Sequence, residues 1–447
     1  MGTSIPTLAL LIFLLIVVGN SNSTIICHEK KRTTLLNFRN GLTNLSSSWL
    51  SSWSVQENSC QWIGVHYDNV TGRVIKLDLF GMQLQGEINQ LGNLSRLLHL
   101  DLGINNGLFV GDLSWISGLH SLKYLDMSGV DLSKIVNWLH EMNKLPSLSE
   151  LLLSSCGLES VYPSLSYVNF TSLTVLDLSS NLFKREVPNW LDNLSTSLIY
   201  LQLRGNALQG QIPVALSNIH DLRYLNFYGN QLNGPIPASI GRQLEYKRNL
   251  KLVRSIDLSS NNLFGSIPVE LFGLFELRFL NMSHNRLVGE IPENIGSMTT
   301  LECLDLSKND LSGKIPESMS NMAFLDYLNL SYNYLSGSIP SGTQLQSLGE
   351  DTFIGNAELC GAPLLINSTK DEESHGSTPV HKNGDESEMF WFYIGMGMGF
   401  VISFWGVCVV IFFKSTWRNA YFKFLDELKD RIYVAAAKGE MVPQEIQ

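Results

Sequence analysis

The sequence predicts an α/β solenoid of stacked repeats, and three observations predict it. A pattern returns about every 24 residues through most of the 447-residue chain. Within each copy, leucines alternate with other residues over a stretch the length of one short strand. Each alternating stretch then runs into the same turn residues. Residues 253–276 read VRSIDLSSNNLFGSIPVELFGLFE, and 277–300 read LRFLNMSHNRLVGEIPENIGSMTT. Residues 301–324 read LECLDLSKNDLSGKIPESMSNMAF, and 325–348 read LDYLNLSYNYLSGSIPSGTQLQSL. The shared pattern is L-x-x-L-x-L-x-x-N-x-L-x-G-x-I-P, and a fixed period of this kind decides the architecture before any other argument.

The elements follow in order. L-x-x-L-x-L is a short strand. In the last copy Leu328 and Leu330 point inward, and Tyr327, Asn329 and Ser331 point outward. Asn333 follows at the turn, where its amide can bond backbone groups that the turn leaves unpaired. Leu335 and Ile339 bury on the return path; Gly337 permits the bend, and Pro340 suits a segment outside any ladder. One unit cannot cover its own leucines, so neighbours must stack. Eleven units begin at Val74, Leu97, Leu122, Leu148, Leu173, Leu198, Leu222, Val253, Leu277, Leu301 and Leu325. The inner asparagine is Asn181, Asn206, Asn230, Asn261, Asn285, Asn309 and Asn333 in the better units, and Cys156 takes its place in unit 4. Units 2 to 5 run 25 or 26 residues and are irregular. This is a leucine-rich repeat with the L-x-G-x-I-P turn: a horseshoe of about eleven repeats with a cap at each end, whose concave face is roughly 50 Å long. Such a solenoid offers a curved surface and not a closed pocket, which argues against an enzyme.

The flanks read as follows. Residues 1–23 form a signal peptide with an apolar run from Leu8 to Val18, though without Lys or Arg before it. Residues 24–73 cap the first repeat and hold Trp49, Trp53 and Trp62; the repeats fill 74–348; residues 349–363 cap the last. Residues 364–388 are an acidic juxtamembrane linker. Met389 to Phe413 is 25 residues without a charge, about 37 Å as a helix and enough to cross a core of ~30 Å with tilt. Lys414, Arg418 and Lys423 follow it, so residues 414–447 are read as a short cytoplasmic tail. Sequons at Asn22, Asn44, Asn69, Asn93, Asn169, Asn193, Asn281, Asn329 and Asn367 all precede the span, as for a glycosylated outside. The expectation is a single-pass plasma-membrane protein with its N-terminus outside. A net charge of −10 and the lack of a basic arm argue against nucleic acid.

Several stretches together resemble a known family. They are the L-x-G-x-I-P turn, CHEKKRTTLLNF from Cys27, CQWIGVHYDNVTGRVIKLDL from Cys60 and EYKRNLKLVRSIDLSSN from Glu245. FIGNAELCGAPL from Phe353 and WRNAYFKFLDELKDRIYV from Trp417 complete the set. The chain resembles the plant receptor-like proteins of the Cf and fungal-xylanase-receptor type. The resemblance implies a cell-surface receptor for microbial or endogenous ligands, working through adaptor and co-receptor leucine-rich-repeat receptor kinases because the family lacks its own kinase. The sequence departs from the family's pattern in its caps. Ser59, Cys60 and Tyr67 stand where the amino cap has two adjacent cysteines and a third, so both usual disulfides cannot form; Cys27 with Cys60 remains a candidate pair. Ser368 lies near the place of the closing cap's second cysteine, leaving Cys360 without its usual partner. A lost disulfide commonly costs about 2–5 kcal/mol. The family's island before the last four repeats has shrunk to a remnant at about 242–251, and relatives carry many more repeats.

The 34 residues after Phe413 are too few for a kinase domain. Gly395 and Gly399, with Ser403 four further on, put small residues on one helix face, which would let a partner's span approach. Glycine is also common in spans without such a role. The same glycines fail the G-x-G-x-x-G nucleotide pattern at Phe400. In the tail, Trp417, Tyr421, Phe424, Leu425, Leu428 and Ile432 recur at helical spacing, as for a helix on the inner membrane surface. Tyr421 to Phe424 also matches a tyrosine-based sorting signal.

The concave strands carry an aspartate row, Asp78, Asp101, Asp126, Asp177, Asp257 and Asp305, which reads first as a solvated consensus. The units that abandon it are more informative: Tyr200, Gln202 and Arg204 on the sixth strand, and Tyr224, Asn226 and Tyr228 on the seventh. Tyr124, Glu150 and Leu152 extend this candidate ligand face backwards. Exposed aromatics beside Arg are hot-spot chemistry for a peptide or protein ligand. Scattered surface apolar residues are the plainer alternative. Glycans at Asn281 and Asn329 would stand on the concave face and push large ligands toward the first eight units. The nine histidines show no metal spacing, and neither Cys303 nor Cys408 reads as a nucleophile, so no metal, cofactor or catalytic group is expected. Three other readings stay open: a receptor for a developmental peptide, a membrane-tethered inhibitor of microbial cell-wall hydrolases, and a truncated, non-functional copy.

Overall fold

The computed structural model describes residues 29–43, 50, 52–54, 59–88, 91–159, 168–188, 190, 191, 194, 198–219, 221–240 and 253–364. All lie in the first of two compact units, Met1–Asp371. The signal peptide, the 242–251 remnant, the linker from 365, the 389–413 span and the tail lie outside the described residues, as do Gly395, Gly399, Ser403, Asn22, Asn44, Asn193, Asn367, Cys27 and the Cys60 side chain. Among the described residues no helix is long and apolar enough to cross a membrane.

Each unit contributes one strand to a twelve-stranded sheet, whose first strand comes from the amino cap. That cap strand, Val65–Tyr67, runs antiparallel to Val74–Asp78 of unit 1. All later neighbours are parallel, from His99–Asp101 of unit 2 to Tyr327–Asn329 of unit 11. The ordered strands are the three-residue x-L-x centres of the leucine pattern in all units after the first. Register is strict: Leu201 faces Leu225, Leu225 faces Ile256, and Leu280 faces Leu304. Units 7 and 8 pair directly although the 242–251 stretch lies between them in sequence. The central apolar residue is no more than 3 % exposed in any unit. A one-residue slip would turn all of these outward, so burial pins the register.

The turns explain the asparagines. Asn309 Nδ2 donates to the carbonyls of Met282 in the preceding unit (3.0 Å) and Leu306 (3.1 Å), and its Oδ1 accepts from Leu287 N–H (3.0 Å). One amide thereby satisfies backbone groups of two units that no strand can reach. The residue just before the asparagine is left-handed, with φ of 52–54° at Ser180, Ser260, His284, Lys308 and Tyr332. Units 6 and 7 place Gly205 and Gly229 there, at φ 65°, where glycine carries no Cβ penalty. Two ladder members escaped the sequence reading. Asn105 in unit 2 and Asn356 in the closing cap make the same bonds, to Leu79 O (2.9 Å) and Leu330 O (3.0 Å). Cys156 substitutes in part: its Sγ donates to Met127 O at 3.1 Å, and its own carbonyl accepts from Leu132 N–H.

The return path is more ordered than expected. Gly337 is expected to permit a bend and Pro340 to lie outside any ladder, yet the L-x-G-x stretch before the proline forms a second parallel sheet of six strands. This sheet runs from Asn233–Gly234 of unit 7 to Glu358–Cys360 of the closing cap. Pro340 comes just after the paired segment Tyr334–Ser338, where a missing N–H costs nothing. Among the irregular units this sheet shrinks to one pair, Gln85–Ile88 with Gly107–Val110, and isolated bridges.

In the amino cap, Trp53 and Trp62 stack at 5.3 Å beside Phe38, and Trp53 Nε1 donates to Ile63 O at 2.9 Å. Phe353, fully buried, closes the other end. Cys156, Cys303 and Cys360 are free thiols among the described residues.

Candidate functional site

On the open face of the long sheet, each strand presents two outward positions, and the residue after the next leucine adds a third. The first position runs His99, Tyr124, Glu150, Val175, Tyr200, Tyr224, Ser255, Phe279, Cys303 and Tyr327 in consecutive register. The second runs Asp101, Asp126, Leu152, Asp177, Gln202, Asn226, Asp257, Asn281, Asp305 and Asn329. The sequence-predicted residues therefore fall on neighbouring strands, with Val175 and Asp177 of unit 5 between their two groups.

Units 6 and 7 are organised among themselves. The rings of Tyr200 and Tyr224 stack 4.3 Å apart at 5°. Tyr200 O–H donates to Gln202 Oε1 at 2.9 Å, and Gln202 Nε2 donates to Asp177 Oδ2 at 3.0 Å. Asn226 Nδ2 donates to Tyr224 Oη at 3.0 Å. The Arg204 guanidinium lies 5.4 Å from the centre of the Tyr228 ring. Arg204 and Tyr228 do not lie on the strands as expected, since these end at Gln202 and Asn226; they occupy the following turn and are exposed. Burial pushes the phenols of Tyr200 and Tyr224 up, so both stay neutral hydroxyl groups.

Units 2 to 4 form a second grouping that the sequence reading caught only in part. His99 stacks on Tyr124 at 4.1 Å and 9°, a contact with no signal in a lone histidine. Burial, with Lys76 nearby, lowers His99 to about 4. Burial, partly offset by the Gly103 N–H that Asp101 accepts, raises Asp101 to about 7. Burial also raises the carboxyls of Asp126 and Glu150. Leu152 interrupts the aspartate row between Asp126 and Asp177.

The aspartates of the row do local structural work. Asp257 and Asp305 Oδ1 each accept from the N–H and hydroxyl of the serine two residues on. These serines, placed outward by the alternation, fold back and are buried, Ser259 and Ser307 each 2 % exposed; Ser331 of unit 11 is buried likewise, at 5 %. Asn281 and Asn329 keep the same two bonds, with Ser283 and Ser331. Of the other described sequon residues, Asn69 and Asn93 are exposed, and Asn169 donates its N–H to Asn143 Oδ1 at 2.7 Å. Among the described residues no group of three or more His, Cys, Asp or Glu could hold a metal ion. A depression of about 260 Å³ lies at the short sheet of units 1 and 2, lined by Asn106, Phe109, Asp131 and Lys134, and none of the predicted face residues lines it.

Comparison with known proteins places this geometry. Residues 28–66 match the leucine rich repeat N-terminal domain. Residues 172–194, 221–243, 252–274, 276–298, 300–322 and 324–345 match the leucine rich repeat. Receptor-like protein EIX1 of Solanum lycopersicum is 32 % identical over 272 residues, covering 45 % of this chain and 26 % of the relative. Receptor-like protein Cf-9 of Solanum pimpinellifolium is 31 % identical over 263 residues, covering 48 % and 27 %. The match thus spans about a quarter of the length of these relatives.

Solved structures agree. The ectodomain of the Arabidopsis thaliana receptor kinase GASSHO1/SCHENGEN3, in complex with CASPARIAN STRIP INTEGRITY FACTOR 2, superposes with a TM-score of 0.60 at 31 % identity, covering 69 % of this chain and 36 % of that one. The HAESA ectodomain, in complex with an IDA peptide hormone, gives 0.56 at 31 %, covering 74 % and 57 %. A plant ice-binding protein gives 0.57 at 28 %, covering 77 % and 99 %, so the solenoid alone does not select a ligand.

Proposed function

We propose that the chain, which is similar to the plant leucine-rich-repeat receptor-like proteins, is a cell-surface receptor binding an extracellular peptide or protein ligand on units 3 to 7. One observation carries the reading. On units 6 and 7 three consensus positions are replaced together, by a stacked tyrosine pair, two amides and an Arg–Tyr contact. Aromatic and Arg side chains already held by one another lose little rotamer freedom on binding, which is what a hot spot requires. Glu150 and Leu152 extend this face toward Tyr124. The GASSHO1 and HAESA ectodomains, each complexed with a ligand, support a ligand-binding role for a solenoid of this kind.

The chemistry is binding rather than catalysis. The signal passes to a partner receptor kinase through the 389–413 span, with Gly395, Gly399 and Ser403 as the docking face. The chain sits in the plasma membrane with its repeats outside, and its role is in defence.

The test uses the full-length tagged chain in plant cells, with peptide fractions of a microbial culture filtrate as probe. Peptides retained by the wild type should be lost from a Tyr200→Ala/Arg204→Ala/Tyr224→Ala variant and kept by a Cys303→Ser control. Equal retention by all three sinks the ligand face. In parallel, Gly395→Leu with Gly399→Leu should reduce kinase co-purification. Unchanged recovery would leave the tethered-inhibitor reading in its place.

A further inference from the structure

We propose that Asn281 and Asn329 carry N-linked glycans that close the open face of the long sheet over units 9 to 11, leaving units 3 to 8 to the ligand; this rests on the extracellular receptor reading above. Asn281, Asp305 and Asn329 are consecutive partners in the second outward row. Two glycans two strands apart, about 10 Å, leave no room for a protein chain between them.

The repeat itself explains how such sites arise without structural cost. Units 8 and 10 hold Asp257 and Asp305 through bonds to one carboxylate oxygen, from Ser259 N–H (3.1 Å) and Oγ (2.6 Å), and from Ser307 N–H (2.9 Å) and Oγ (2.7 Å). In units 9 and 11 the residue is asparagine, and Oδ1 receives the same bonds, at 3.0 and 2.7 Å in one and 3.1 and 2.7 Å in the other. An Asp-x-Ser turn becomes an Asn-x-Ser sequon while every turn bond survives. The nitrogen takes the place of the second, outward oxygen. Asn281 Nδ2 has no hydrogen-bond partner among the described residues, and Asn329 Nδ2 donates only to Tyr327 Oη, at 3.4 Å. The turn therefore uses Oδ1 and leaves the nitrogen for the sugar.

A second feature points the same way. Phe279 and Tyr327 stand two residues before these asparagines on the same strands, hence on the same face. Tyr327 is 39 % exposed. An aromatic face beside the attachment point suits the apolar face of the first sugar ring. In the transfer, the asparagine nitrogen loses a proton and bonds the anomeric carbon of a lipid-pyrophosphate-linked oligosaccharide. The sugar–phosphate bond breaks, and the lipid pyrophosphate leaves with the electron pair. Ser283 and Ser331 are 4 % and 5 % exposed once folded, so transfer precedes folding, and the folded turn then accepts the product.

The full-length chain purified from plant cells and mapped by glycopeptide mass spectrometry tests this. Glycans are expected at Asn281 and Asn329, together with the exposed Asn69 and Asn93. Bare Asn281 and Asn329 beside occupied Asn69 and Asn93 overturn the proposal and leave the receptor reading standing. Four bare sites overturn both. Closure has its own readout in Cys303, which lies in register between Phe279 and Tyr327. Burial pushes the Cys303 thiol up to about 12 and slows its labelling in both proteins, so the ratio is read. A large polymer-linked maleimide, followed by peptide mapping, should label Cys303 on the order of tenfold faster in Asn281→Asp/Asn329→Asp than in the wild type, with a small maleimide reacting equally slowly with both. Asp is what units 8 and 10 carry, so the variant keeps its turns. Equal rates with the large reagent overturn the closure.

Discussion

Units 8 to 11 and units 2 to 7 share one interior and differ in what surrounds it. Both bury their central leucines, and both hang their turns on an inner side chain. The regular units add a continuous second sheet and an almost uniform outer row of Asp or Asn followed by Ser. The irregular units lose most of that sheet, break the outer row at Leu152 and Gln202, and replace the serine after it by Arg204 and Tyr228 in units 6 and 7. The contrast separates what holds the solenoid from what it can recognise. The core is indifferent to outer residues, so recognition can vary where the repeat is loosest.

If the interior is truly common, equivalent leucines must cost the same to remove. Leu304→Ala in unit 10 and Leu151→Ala in unit 4 should each destabilise by about 2–5 kcal/mol, since both are essentially unexposed. Chemical denaturation of the purified protein measures both. A Leu151 cost below about 1 kcal/mol would mean that the irregular half does not share the core.

The turns should divide the two halves more sharply than the core does. Asn309→Ala strands the Leu287 N–H, while the carbonyls of Met282 and Leu306 each keep one amide donor, Asn285 Nδ2 (3.1 Å) and Asn333 Nδ2 (3.0 Å), and about 2 kcal/mol should be lost. Cys156→Ala removes one thiol bond to Met127 O, and about 1 kcal/mol or less should be lost, because the Leu132 N–H already has a backbone acceptor. Comparable losses would make Cys156 a full ladder member.

The same division explains what the sequence made legible. The strand register, the inward leucines and most of the asparagine ladder were readable because each is repeated, and repetition averages out local noise. Asn105 and Asn356 were missed because in their surroundings, LGINNGL and FIGNAEL, the next leucine comes three residues after the asparagine and not two, and Phe353 stands in place of the leading leucine in the second. The second sheet was missed because L-x-G-x looks like turn chemistry in one unit, and pairs only once units are stacked. On the candidate face, Tyr200, Gln202, Tyr224 and Asn226 stood out as departures from consensus. Their mutual contacts did not, nor did the His99–Tyr124 stack, since one-strand reasoning cannot see a partner 25 residues away.

The smallest expected effect also belongs to the irregular half and has a definite sign. Asp101 is 8 % exposed, and its carboxyl is raised to about 7 by burial. Its unfolded value is 3.8, so between these limits the folded state binds the extra proton, and stability falls as pH rises through about 7. His99, lowered to about 4 from 6.5, acts oppositely: below 6.5 the unfolded state binds the proton, and stability falls as pH drops. Above pH 6.5 the effect of Asp101 exceeds the opposing effect of His99. Acidification from about pH 8 to about pH 6.5 should stabilise the wild type through Asp101 by less than about 1 kcal/mol. Asp101→Asn keeps an oxygen for the Gly103 N–H and has no charge to bury, so its unfolding midpoint should lose that part of the pH dependence. The variant creates no sequon, because Gly103 follows Leu102. An unchanged pH slope in Asp101→Asn would assign the proton uptake to another group of the buried row, with Asp126 and Asp177 next in turn.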